Sequence, residues 1–120
     1  MMYTFTIKGK IKPCVRMTQK SKHYGQAQEY LVSQAAIGLQ LKVQAALHGW
    51  EILPARTPLS VSLVFTFPGG WHQADIDNQI KSVLDAANDI VWKDDRWVDA
   101  LTAIRRNGDD YECVMRVEVL

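Results

Sequence analysis

Apolar and polar residues along this chain change period several times, and each change marks an element. Tyr3, Phe5 and Ile7 alternate with Thr4, Thr6 and Lys8, which predicts a first strand closed by Gly9 and Pro13. From Gly9 to Tyr24 no period is present, so this stretch is expected to be a loop. Between Gln26 and about His48 the period becomes helical, with Ala27, Leu31, Ala35, Gly38, Leu41 and Ala45 as the expected buried stripe. Glutamines and one lysine form the expected polar face, and Gly49 suits the C′ position. The small residues Ala35 and Gly38 suggest close packing on a sheet or a partner subunit. Leu59, Val61, Leu63, Phe65 and Phe67 then alternate with Ser60, Ser62, Val64 and Thr66, the clearest strand in the chain.

Pro68-Gly69-Gly70 stops that strand, and a second helical period runs from Ile76 through Ile80, Val83, Leu84 and Ala87 to about Val91. Trp97 to Ile104 reads as a third strand, with Val98, Ala100, Thr102 and Ile104 on one face. Asn107-Gly108 is a type I′ hairpin signal, and Tyr111 to Val119 alternates as the last strand. The expected order is β-α-β-α-β-β: an α/β (α+β) fold, a small mixed sheet with two helices on one face and a C-terminal hairpin, in one domain over residues 1–120.

Composition adds little until charge is placed along the chain. Apolar and charged fractions of 48% and 22% are those of an ordinary globular protein. No apolar run approaches the roughly 18 residues of a membrane span, and Thr4, Thr6 and Lys8 break up any signal-peptide pattern. Cys14 and Cys113 have no metal-ligand spacing and read as reduced thiols of a cytosolic protein, Cys113 in the core. The net charge of +1 hides an asymmetry: Lys8, Lys10, Lys12, Arg16, Lys20 and Lys22 precede every acid, leaving the rest of the chain net negative. A basic arm beside an acidic site suits a protein that holds phosphate with one part and a cation with the other. A solvated lysine loop is the competing explanation.

The acids themselves are patterned. Asp75 and Asp77 are two residues apart, Asn78 follows, Lys81 lies four residues after Asp77, and Asp94-Asp95 closes the stretch. Within one helix, Asp75 and Asp77 would diverge by about 200°. They can share a ligand only if Asp75 precedes the helix, at or before the N-cap. Crowded carboxylates repel, and a hard cation such as Mg²⁺ or Mn²⁺ relieves the conflict. Such an ion activates water and stabilises phosphoryl oxygens, and Lys81 would add a positive charge beside the phosphate. The alternative is a capped helix with a surface Asp77–Lys81 pair and two loop acids. A helix of about sixteen residues would also put its exit some 24 Å from its start. Asp95 therefore joins Asp75 only if the helix is short or broken near Asn88-Asp89 and the chain doubles back, or if it serves another subunit.

The run Asp75-Ile76-Asp77-Asn78-Gln79-Ile80-Lys81, then Leu84-Asp85-Ala86 and Trp92-Lys93-Asp94-Asp95, resembles the central motif of RusA-type Holliday junction resolvases. The close match covers the middle fifth of the chain. The resemblance implies a Mg²⁺- or Mn²⁺-dependent endodeoxyribonuclease acting as a homodimer on four-way DNA junctions in recombination and repair, cutting two opposed strands. It makes Asp75, Asp77 and Asp95 the metal-binding carboxylates and Lys81 the catalytic lysine, and it implies a cytoplasmic, nucleoid-associated enzyme. Many members carry arginines before the first Asp, where this chain has Gly69-Gly70-Trp71-His72-Gln73-Ala74. Candidate DNA contacts are Lys10, Lys12, Arg16, Lys20, Lys22, Trp71, His72, Arg105 and Arg106. Trp71 could stack on an unpaired base or pack on its own domain, and the two arginines could hold phosphate or be solvated turn residues. A non-catalytic module that binds branched DNA is the alternative function.

Overall fold

The computed structural model describes residues 2–12, 24–69 and 75–120. Its elements are β1 (Met2–Lys8), α1 (Tyr24–His48), β2 (Leu59–Phe67), α2 (Ile76–Ala87), a single 3₁₀ turn (Asp95–Trp97), β3 (Val98–Asn107) and β4 (Glu112–Val119). The order is the expected one. The strands form one mixed sheet in the order β1-β4-β2-β3, in which only β2 and β3 are parallel. Phe5 and Ile7, the odd-numbered residues from Leu59 to Phe65, and Cys113, Met115 and Val117 point to one face, where both helices cover them. Burial pushes the Cys113 thiol up to about 12, with the neighbouring Glu112 charge adding to it, so it stays protonated. Cys14 lies outside the described residues.

Three expectations fail, each for a physical reason. The first is the hairpin. β3 and β4 do not pair; β2 lies between them. Asn107 is still in register with Phe67, and Gly108 donates its N–H to the Phe67 carbonyl at 2.9 Å as the chain crosses the end of β2. A Cβ on Gly108 would collide with the Thr66 side chain, so this glycine serves a close crossing and not a two-residue turn.

The second is the orientation of α1. Its core side is Tyr30, Ile37, Leu41 and Ala45, whereas Leu31 and Ala35 of the expected stripe are exposed. Gln34, Gln40 and Gln44 face inward as well. Gln44 accepts from Thr6 N–H and donates to Thr6 C=O (2.7 and 2.6 Å), and Gln40 does the same at Lys8 (2.7 and 2.9 Å). Two amides one helical turn apart thus act as a surrogate strand along the free edge of β1. Gln34 donates to the Ser82 carbonyl and ties α1 to α2.

The third is the length of α2. It ends at Ala87, not near Val91, and Asp89 takes a positive φ of 63°. The chain reverses there, with Asp89 N–H donating to the Trp92 carbonyl at 2.7 Å. Trp92 is buried and its indole donates to Asn88 Oδ1 at 2.8 Å. The connector after α1 secures the return: Leu53 exchanges backbone bonds with Val91 and Lys93, and the Trp50 indole donates to the Val91 carbonyl at 2.9 Å. Gly49 ends α1 with a φ of 62°, as expected of a C′ glycine.

Candidate active site

The reversal at Asn88-Asp89 resolves the distance problem set by a long helix. Residues 94–97 come back against α2, and Asp95 lies within electrostatic reach of Asp85 and Lys81. Asp95 thus rejoins the helix that carries the other candidate residues within one subunit. Asp75 occupies the N-cap position with extended backbone (φ −67°, ψ 142°), as convergence with Asp77 requires, although its side chain makes no capping bond. Asp77 sits in the first turn, where a negative charge suits the helix dipole, and accepts from Asn78 N–H at 2.9 Å. Both carboxylates are exposed.

Lys81, one turn beyond Asp77, pairs with Asp85 at 3.8 Å rather than with Asp77. The buried Tyr30 of α1 donates its hydroxyl to the same Asp85 oxygen, Oδ2, at 3.3 Å. Asp85 is the residue sequence reasoning passed over, and its signal was there: it is i+4 to Lys81, as Lys81 is to Asp77. Desolvation raises the Asp95 pKa from 3.8, and the charges of Asp85 and Asp94 raise it further against the opposing pull of Lys81. Asp94 moves the other way, lowered chiefly by the Arg96 backbone N–H that it caps at 2.9 Å.

The raised Asp95 pKa has a definite consequence for stability. In the window just above 3.8 the folded chain holds a proton that the unfolded chain has lost. The stabilisation is full below 3.8 and is lost as pH rises through the folded value. Asp95→Asn is therefore expected to melt higher than the wild type by a margin that widens from pH 3 to pH 7 without divalent cations. Melts whose difference does not change with pH would contradict the crowding.

Among the described residues, no three carboxylate, imidazole or thiol groups stand close enough to hold a metal ion, so Asp75, Asp77 and Asp95 are not gathered around one point. The donor chemistry nonetheless fits a hard divalent cation: all three are carboxylates, two are exposed, and the third is crowded by like charge.

Topology brings cations to the end of the sheet where α2 begins. The C-terminal ends of β1, β2 and β3 all lie there. Arg105, on the helix-covered face, donates to Gln79 of α2 at 3.5 Å. Arg106 goes to the opposite face and donates to Thr66 Oγ1 at 3.2 Å. Lys10 lies 5.8 Å from the Tyr111 ring, and Lys12 pairs with Glu29 at 3.7 Å while its carbonyl accepts from Ser82 Oγ. Arg16, Lys20, Lys22, Trp71 and His72 lie outside the described residues.

An acid-bearing helix start thus lies beside basic strand ends on a small mixed sheet, in an α+β fold. Comparison with protein-family models names the family: residues 4–119 match Endodeoxyribonuclease RusA, and the chain belongs to this family of Holliday junction-resolving endonucleases. A search of curated proteins found no match. Membership supports nuclease activity, the binding of branched DNA and a place in recombination. No helix among the described residues is long and apolar enough to cross a membrane.

Proposed function

We propose that this protein is a divalent-metal-dependent endonuclease that resolves four-way DNA junctions by paired, symmetric phosphodiester hydrolysis, working as a C2 homodimer in DNA recombination and repair. The observation that carries this reading is the return of Asp95 to α2, beside Lys81 and Asp85 and on the helix that starts with Asp75 and Asp77. Asp75, Asp77 and Asp95 would hold Mg²⁺ or Mn²⁺, which supplies an activated water and neutralises phosphoryl charge. Lys81 stabilises charge developing on the phosphate, and Asp85, itself held by Tyr30, positions the Lys81 ammonium. Arg105, bonded to Gln79 of α2, and Lys10 at the end of β1 contact the DNA backbone near the cut, whereas Arg106 lies on the far face of the sheet. Two cuts on opposed strands need two active sites, which a two-fold dimer provides.

The ungathered carboxylates favour one other reading, a module that binds junctions without cutting them. A cleavage assay on a synthetic four-way junction separates the two. With Mg²⁺ the wild type is expected to give paired nicks at symmetric positions, and none with EDTA. A shifted but uncut junction under every divalent cation would establish the module instead.

A further inference from the structure

We infer that the outward face of α1 is the surface on which two copies of this chain associate. This rests on the homodimer of the proposed function and adds its location. With Gln34, Gln40 and Gln44 of α1 spent on α2 and β1, the helix turns an apolar face outward. Leu31, Val32, Leu39, Val43 and Leu47 are 57%, 70%, 63%, 51% and 80% exposed. At 3.6 residues per turn they fall in a single arc about 160° wide. Its charged members, Glu29 and Lys42, lie towards opposite margins, and Glu29 is already paired with Lys12.

The central line of the arc, Val32, Ala36, Leu39, Val43 and Ala46, is spaced by four, three, four and three residues. That is the seam by which one helix packs along another. All five are exposed. A helix apolar on both sides is ordinarily covered on both. Together the exposed apolar residues offer on the order of 600–700 Å², above the largest patch of a typical monomer and near the ~800 Å² per partner of a standard specific interface. A two-fold contact pairs one patch with its own copy, which suits a stripe with no charge along its centre.

Light scattering on a sizing column tests this. The wild type, at up to about 100 µM, where even a micromolar contact is saturated, is expected at twice the chain mass of 13.6 kDa. Leu39→Glu with Val43→Glu is expected to halve that mass with an unchanged circular dichroism spectrum. Should the doubly charged variant fail to fold, Leu39→Cys in a Cys14→Ser background gives the same information, since oxidation should join two chains. A monomeric wild type overturns the inference. So does a folded double-glutamate variant that stays dimeric, a Leu39→Cys that does not cross-link, or a dimer dissolved by Leu101→Lys with Ile104→Lys on the free β3 edge. The nuclease reading is scored separately: an α1 dimer that cuts no junction sinks that reading and leaves this one intact.

Discussion

Asp77→Asn is expected to slow four-way junction cleavage about 10³-fold or more while leaving junction affinity nearly unchanged. The substitution keeps the size and hydrogen-bonding outline of the side chain and removes its charge. A metal ion contributes several kcal/mol of charge stabilisation at a reacting phosphoryl group, and each 1.4 kcal/mol or so is a factor of ten in rate. Stability should change little. Asp77 is exposed, and a first-turn carboxylate contributes only about 0.3–1 kcal/mol against the helix dipole. Binding curves and single-turnover rates on the same junction separate the two effects. Equal losses in both, or a variant that cuts normally, would remove Asp77 from the reaction.

Trp92→Ala should give the largest loss of stability, about 3–5 kcal/mol in urea unfolding. The ring is almost wholly buried, and its N–H fixes Asn88 at the reversal after α2. Because total stability for such a domain is only about 5–15 kcal/mol, much of the margin would go. The functional effect follows from position: Trp92 lies three residues before Asp95 and holds the turn that returns it to α2. Trp92→Phe keeps most of the apolar ring, losing the hydrogen bond and part of the packing, at a cost of about 1–3 kcal/mol. Comparing the two variants divides packing from the pin. An alanine variant as stable as the wild type would mean that the return is held elsewhere.

The parts of this fold that were legible in the chain are those where one residue's environment depends on its near neighbours. Alternation from Leu59 to Phe67 matches β2 to the residue, and the Asp75-Ile76-Asp77 spacing lets the two acids converge only with Asp75 at or before the N-cap, where it lies. What was not legible depends on tertiary partners. Asn107-Gly108 looks like a turn in isolation, and only the crossing over Thr66 gives the glycine its use. The α1 glutamines read as a solvent face because nothing local shows that Thr6 and Lys8 present unpaired backbone to them. Val91 extended the helical period because it is buried, but it is buried by a turn that exchanges bonds with Leu53. The site divides in the same way. Spacing singled out Asp77 and Lys81 and the family resemblance singled out Asp95, whereas Asp85 takes its place from Tyr30, fifty-five residues away in the chain.

On the proposed mechanism, acids at the start of α2 and at the returning 3₁₀ turn act together on one cation. Crystals soaked in Mn²⁺ and measured for anomalous scattering test it directly. A peak is expected between the carboxylates of Asp75, Asp77 and Asp95, and none in Asp77→Asn. Crystals of a preparation that cuts junctions, yet show no Mn²⁺ at these three residues, would contradict it.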